Sequence, residues 1–332
     1  MKRRALCGAV ALIAITALIG ASSSLSAGSG GAAFKHSRAS YNVWFVDGFS
    51  FVPAWQKMEK QFKREAAKLG DKATVVGMSA LDPAKMVSDM DQAIAAHANA
   101  ILFCDVDPKV FKSEIAKARA AGIVVVTIGC VDKISNYSIG TDNLAYGRFA
   151  ADLVGKKFNG KAEVGFDGSN LSAPNQVLQV RGFKARAAAK YPGIKVVAWE
   201  EGKGDAATDA QVITAMTQAN PGLNAIVCIS STCPAGAQAG LSAAGKKPGN
   251  VFFVGIDAEK PTLAAIKTGW VSETLAQCWF DAAPFAVDLM HAKLTGHGSS
   301  KQSWAMPVQV VTSRQLPYKG CPAKLLPKVK TG

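Results

Sequence analysis

Ile123-Val124-Val125-Val126-Thr127-Ile128-Gly129 is the stretch on which the fold turns. Its apolar residues are consecutive rather than alternating. A strand that is apolar on both faces lies between two covering layers, the situation of parallel sheets flanked by helices. The sequence on either side agrees. Residues 108–121 upstream read as a helix, and 100–104 as another short apolar strand. Further back, residues 53–69 place Trp55, Met58, Phe62, Ala66 and Leu69 at helical spacing. A helix over 82–97 opens with Asp82 as N-cap and Pro83 in its first turn. Strands are expected at 41–46 and 74–78. After Asn143 the alternation restarts, with helices at 144–158, 175–190, 205–218 and 234–244 and strands at 161–166, 194–199, 225–229 and 251–256. Two successive sets of β-α units imply an α/β protein of two doubly wound parallel-sheet lobes.

Residues 1–27 belong to a different category. Met1-Lys2-Arg3-Arg4 is basic, residues 5–20 are almost wholly apolar, and small and polar residues follow up to Ala27. That order is a secretory signal peptide. The alternative is a membrane anchor, but the apolar run, about 16 residues, falls short of the roughly 20 a spanning helix needs. Cys7 precedes the apolar core and so is not the lipid-bearing cysteine of a lipoprotein. Residues 28–39, rich in Gly and Ser, read as a flexible leader. The mature chain is therefore expected in the periplasm, where enzymes that depend on cytosolic cofactors are disfavoured.

The formal charge is +14. Its lysines and arginines are scattered, without the block that grips phosphate backbones, so a solvated basic surface is expected and no nucleic-acid partner. Cys104, Cys130, Cys228, Cys233, Cys278 and Cys321 remain after the signal, an even set that suggests disulfides in an oxidising compartment. The alternative is buried thiols acting as small hydrophobes. His36, His97, His291 and His297 are dispersed, and neither metal nor other cofactor is expected.

Several segments, taken in order, carry a family resemblance. They are Ala121-Gly122-Ile123-Val124-Val125-Val126-Thr127, Ile139-Gly140-Thr141-Asp142-Asn143 with Gly147 beyond it, Arg181-Gly182-Phe183-Lys184, Val254-Gly255-Ile256-Asp257, and Ala264-Ala265-Ile266-Lys267-Thr268-Gly269 followed by Glu273 to Gln277. In this sequence and spacing the chain resembles the periplasmic sugar-binding proteins of the ribose and galactose type, which have a lac-repressor-like core. The match runs over roughly residues 41–297. The resemblance implies two lobes joined by three hinge crossings, near 139–143, 274–277 and 303–306, with the ligand cleft between them. The N-terminal lobe would hold 40–140 plus 278–303, and the C-terminal lobe 144–273 plus 306–332.

It also implies a non-enzymatic solute-binding protein of an ABC importer. Such a protein captures a sugar, polyol or related small polar metabolite by hinge closure and delivers it to an inner-membrane permease, and a monomer is expected. Alternatives are a ligand-presenting sensor subunit for a chemoreceptor or sensor kinase, or a non-sugar polar ligand. A transcription regulator on the same core would need an N-terminal helix-turn-helix, and the chain opens on an export signal instead. Paired carboxylates across a cleft could suit a secreted glycosidase. However, no Gly-x-Ser-x-Gly, His-Glu-x-x-His or phosphate loop accompanies them.

Open α/β sheets bind ligands beyond the carboxyl ends of their strands. Strand ends alone select Asp47 to Trp55, Cys104-Asp105, Gly129-Cys130, the 167–175 loop, Trp199-Glu200, Ser230 to Cys233 and Asp257. From these, Asp47, Asp105 and Asp257 are candidate acceptors for ligand hydroxyls, with Ser231 as a polar contact. Phe49, Phe51 and Trp55 are candidate rings for a sugar face or, alternatively, core residues of the helix that follows. Arg181 and Gln277 are candidates through the resemblance, Arg181 having a surface ion pair as its alternative.

Departures from the family pattern narrow the ligand. The family often has Asp-Arg where Gly129-Cys130 stand, Asn-Asp where Ser230-Ser231 stand, and Asn-Pro where Cys104-Asp105 stand. The lost polar groups argue against ribose, glucose or galactose themselves, and the carboxylates disfavour a strongly anionic ligand. A Cys104–Cys130 disulfide is expected between neighbouring strand ends. Pairing of Cys233 with Cys278 across the cleft mouth would leave Cys228 to Cys321.

Overall fold

The computed structural model describes residues 40–129 and 132–329. The signal peptide and leader expected over 1–39 lie outside them. The first sheet takes β1 (Asn42–Asp47), β2 (Lys72–Gly77), β3 (Ala100–Phe103), β4 (Val124–Gly129) and β5 (Tyr137–Thr141), with α1 (Pro53–Leu69), α2 (Pro83–Ala95) and α3 (Pro108–Ala120) between them. The second takes β6 (Lys161–Gly168), β7 (Gly193–Glu201), β8 (Ala225–Cys228), β9 (Phe252–Ile256) and β10 (Glu273–Gln277). Its helices are α4 (Asn143–Lys157), α5 (Pro174–Lys190), α6 (Ala206–Ala219), α7 (Cys233–Ala243) and α8 (Lys260–Lys267). After a 3-10 turn (Cys278–Asp281) come α9 (Ala283–Leu294), β11 (Ser303–Met306) and β12 (Val308–Val311). No helix among the described residues is long and apolar enough to cross a membrane.

Strand order is β11-β5-β4-β3-β1-β2 in one sheet and β12-β10-β9-β8-β6-β7 in the other. The run that decided the fold is β4, buried along all but its last residue. Helix α1 buries Trp55, Met58, Phe62, Ala66 and Leu69, the stripe expected from its spacing. Asp82, Asp107, Asp142 and Asp205 cap α2, α3, α4 and α6 by accepting from backbone N–H groups one turn in. Helices α4 and α5 meet backbone to backbone. A Cβ on Gly147 would lie 1.9 Å from the Gln179 carbonyl oxygen, and one on Gly182 would lie 2.3 Å from that of Leu144.

One strand departs from the all-parallel expectation: β12 runs antiparallel to β10. The cause is the single residue, Pro307, that separates it from β11. Strand β11 is parallel to β5, so the chain leaves the first sheet at its carboxyl edge. It enters the second sheet at the facing edge and must run against its neighbours.

The passages between sheets are tied to one another. Thr141 Oγ1 donates to Gln277 Oε1 at 2.7 Å. The Cys278 N–H donates to the Pro307 carbonyl at 3.1 Å. Helix α9 returns to the first sheet, packing on α1 and β4, and its buried His291 meets Asp71 at 2.8 Å. Beyond β12 the tail spans both cores: Leu316 packs on the second, while Cys321, Leu326 and Val329 pack on the first. That is a fourth passage of chain, beyond the three expected.

The cysteines pair as Cys228–Cys233 and Cys278–Cys321. The expected pairs Cys233–Cys278 and Cys228–Cys321 are thereby corrected. Cys233 and Cys278 are each fully buried, in different cores, and never face one another. Cys104 is disulfide-bonded too; its expected partner, Cys130, lies outside the described residues.

Candidate functional site

In each sheet the strand order reverses beside the first strand, between β1 and β3 and between β6 and β8. Such switch points leave a crevice at the carboxyl ends. A cavity of about 730 Å³ opens among the start of α1 (Pro53, Ala54, Lys57), the ends of β9 and β10 (Asp257, Gln277) and Tyr318 of the tail. Elements of both sheets therefore line it, and its size suits a small molecule.

Asp257 is 6% exposed and sits at φ 59°, a left-handed conformation that Asp and Asn tolerate better than most side chains. Backbone bonds hold it there: its N–H donates to Leu275 and its carbonyl accepts from Thr274 Oγ1 at 2.6 Å. Gln277 Nε2 donates to Asp257 Oδ1 at 2.9 Å. Since Gln277 Oε1 is held by Thr141, an unbroken chain Thr141–Gln277–Asp257 joins the two sheets at the cavity. Burial pushes the Asp257 carboxyl up to about 7; Gln277 opposes the shift and Glu259 adds to it.

The other candidates do not line this cavity. Asp47 is fully buried and turned into its own loop, accepting the Phe49 N–H at 2.7 Å. Burial, opposed by that bond and reinforced by Glu59, raises its carboxyl. Asp105, 5% exposed, accepts no well-formed hydrogen bond among the described residues. Burial, then Asp132 and Asp107, push it to about 6. Ser231 is half-buried in the β8–α7 turn, which the Cys228–Cys233 disulfide staples. Arg181 is exposed on α5 and makes no ion pair with the described residues. Its neighbours Gly182 and Phe183 supply the buried packing of that motif.

The aromatic candidates divide. Trp55 is core, 5% exposed, with Phe49 stacked on it at 4.7 Å. Phe51 is 46% exposed in the loop before α1. Two further rings escaped the sequence reading. Trp279 lies 5.7 Å from Trp55 and stacks on Phe280 at 3.8 Å, and Phe280 lines the cavity. A Cβ on Gly129 would come within 2.9 Å of the Trp279 ring. Trp279 thus fills the space that a larger residue at the end of β4 would need. The pair Gly129 and Trp279 was the available signal, but the two are far apart in sequence.

Among the described residues no three His, Cys, Asp or Glu side chains converge where a metal could sit. One acidic pair is nonetheless buried in the second lobe. Asp167 at the end of β6 and Asp209 on α6 are both fully buried, and among the described residues none of their four oxygens accepts a well-formed hydrogen bond, with the Gly202 N–H and the Thr232 hydroxyl only near enough to oppose the shift slightly. Burial, and for Asp167 the facing Asp209, raise both carboxyls. Folded-state values above the unfolded one mean that the native state holds the extra proton, so stability falls as pH rises from about 4 through the raised titration. Asp167→Asn replaces the shared proton by a permanent amide donor. It is expected to add about 2 kcal/mol at pH 8 and to flatten stability between pH 6 and 9. Urea unfolding across that range checks it; a slope equal to the wild type's would show that the pair is not held by a shared proton.

Comparison with known proteins agrees with this architecture. The family model for the periplasmic binding protein domain matches residues 50–298. The ribose import binding protein RbsB of Bacillus subtilis is 26% identical over 235 residues, covering 68% of this chain and 72% of that one. The D-ribose/D-allose-binding protein of Pseudomonas aeruginosa is 26% identical over 243 residues, covering 70% and 75%. A solved ABC transporter solute-binding protein from Burkholderia graminis, in complex with D-arabinose, aligns with TM-score 0.76 at 26% identity, covering 86% of this chain and 99% of that one. With its two α/β lobes built in this order, the chain belongs to the periplasmic binding protein domain family.

Proposed function

We propose that this chain is the extracytoplasmic solute-binding protein of an ABC importer. It is exported by residues 1–27, captures a sugar, polyol or related small polar molecule, and delivers it to a membrane permease as a monomer. The lobes of this reading are 40–140 with 278–303, and 144–273 with the segment from 306, whose end from Cys321 crosses back onto the first lobe. The observation that carries it is the Thr141–Gln277–Asp257 chain. A ligand that binds the free side of Asp257 acts on a residue wired, through Gln277, to two passages between the sheets. Closure then follows from tighter binding to the closed form than to the open one.

In this reading Asp257 and Gln277 grip hydroxyls from the second lobe, joined by Ser231. Arg181 adds a cation from the second lobe, and closure brings up the first lobe with the exposed Phe51 and with Asp105, backed by Phe49, Asp47 and Trp55. Trp279 and Phe280 stand where a polar clamp is absent, so the ligand offers an apolar face there. That favours a modified sugar or smaller polyol over ribose, glucose or galactose. No covalent step is required of any residue.

The test pairs a thermal-shift screen of residues 28–332 against pentoses, hexoses and polyols with small-angle scattering. A true ligand at 100 times its Kd adds about 2.7 kcal/mol and lowers the radius of gyration. A shift without compaction would refute hinge closure. Shifts only from amino acids, nucleosides or acids would overturn the sugar assignment.

A further inference from the structure

The tail segment Tyr318–Cys321 reaches the cavity. Tyr318, Lys319 and Gly320 line the same space as Asp257 and Gln277. The segment is anchored at several points. Cys321 is bonded to Cys278, the residue directly after Gln277. The Cys321 N–H donates to Asp281 Oδ2 at 2.8 Å, while Asp281 Oδ1 takes the Lys57 ammonium of α1 at 2.5 Å. Tyr318 Oη stands 3.3 Å from both Gln309 Oε1 of β12 and Cys321 Sγ. Hinge turn, first-lobe helix and second-lobe strand therefore all fix this one strap. Its tyrosine is half-buried and shares the cavity wall with Asp257, and burial first, then the charges of Asp281 and Asp257, raise its phenol.

We propose that Tyr318–Gly320 is a fixed wall of the ligand site, with Tyr318 contacting the bound molecule and the Cys278–Cys321 disulfide holding it there. The inference rests on the solute-binding reading above. An amphipathic phenol fits such a wall, because its ring packs on C–H faces while its hydroxyl meets a polar edge. A wall preset by a covalent tie does not have to be ordered when the ligand arrives, which saves affinity otherwise lost to entropy.

Protein labelled with 3-fluorotyrosine carries five tyrosines, and Tyr318→Phe identifies the resonance of Tyr318. The probes are D-ribose, D-arabinose, D-allose, D-galactose and xylitol. That resonance is expected to shift in Asp257→Asn and in the double variant Cys278→Ala/Cys321→Ala. Any probe that raises the wild-type Tm should move it too, and should bind at least about tenfold more weakly to Tyr318→Ala and to the double variant. Circular dichroism and the ligand-free Tm of each variant separate lost binding from lost folding, with Tyr318→Phe as the conservative substitution. Equal Kd in wild type and Tyr318→Ala, or a resonance indifferent to both Asp257→Asn and saturating probe, overturns the wall. A resonance that answers to Asp257→Asn while no probe raises the wild-type Tm supports the wall and overturns the sugar reading instead.

Discussion

Asp257→Ala is expected to weaken ligand binding by about 100-fold or more while leaving the protein folded. The carboxylate is the buried acceptor that the second lobe offers the cavity, with Glu259 as a more exposed neighbour; its Oδ1 is engaged by Gln277 and its Oδ2 is reached by no donor among the described residues. Each hydrogen bond to a charged group is worth about 1.5–3 kcal/mol. Loss of two ligand bonds corresponds to roughly two to four decades in Kd. The substitution also leaves Gln277 Nε2 without its partner, so the link from ligand to hinge fails with it.

Asp257→Asn separates charge from shape. Asparagine accepts the left-handed backbone and keeps an acceptor oxygen, so a loss of about tenfold is expected. Alanine adds about 1 kcal/mol of backbone strain at φ 59°. Because burial holds the Asp257 carboxyl up to about 7, acidification from pH 8 to 5.5 protonates it, which removes the charge and turns one acceptor oxygen into a donor. Affinity should fall over that interval in the wild type and stay flat in Asp257→Asn. Isothermal titration at four pH values reads both effects; an unchanged Kd in Asp257→Ala would remove this residue from the site.

The second large effect concerns stability. Gly147→Ala should cost about 3 kcal/mol or more and lower Tm by about 10 °C. The added methyl would stand 1.9 Å from the Gln179 carbonyl oxygen and 2.7 Å from the Phe183 nitrogen, both backbone atoms of the facing helix. Neither can rotate away, so α4 and α5 must separate along their contact. Gly122→Ala is the control: its φ is +78°, yet nothing lies within 4 Å of the added Cβ. It carries strain alone, about 1 kcal/mol. Calorimetry of both variants should rank Gly147 well above Gly122, and equal losses would mean that the helices do not meet as described.

These glycines also show how far the sequence could be read. Gly147 and Gly182 stood out through the family resemblance, and the structure supplies their physical role as the places where two backbones touch. Helix α1 was legible to the residue because its five buried positions fall on one stripe and Gly70 ends it. Helix α9 was not, since its buried residues wrap most of its circumference and leave no period to find. Strand β5 was read only as part of a crossing: its five residues include Ser138, Gly140 and Thr141. Strands β11 and β12 have four residues each, too few for a pattern. Asp257 was singled out because a carboxylate ending an apolar strand needs a reason to be there, and it does line the cavity. Asp105 passed the same test, yet it lies against Asp132 in the first lobe and not on the cavity. Trp279 was missed because its role depends on Gly129, and no local pattern links them. The cysteine pairs could not be read without the path of the tail.

The return of α9 and β11 to the first sheet bears on how the chain matures. Delivered N-terminus first, as in synthesis or threading across a membrane, residues 40–141 emerge with one face of their sheet covered by α1 alone. Phe285, Leu289 and Met290 of α9 and Trp304 and Met306 of β11 belong to the first core and arrive only after the whole second sheet except its last strand. The first lobe therefore cannot close its core early, whereas residues 143–277 can assemble most of theirs as soon as they appear. A domain that must wait for its own distant end stays loose while the chain is in transit, the state in which it can still be threaded and is most exposed to aggregation.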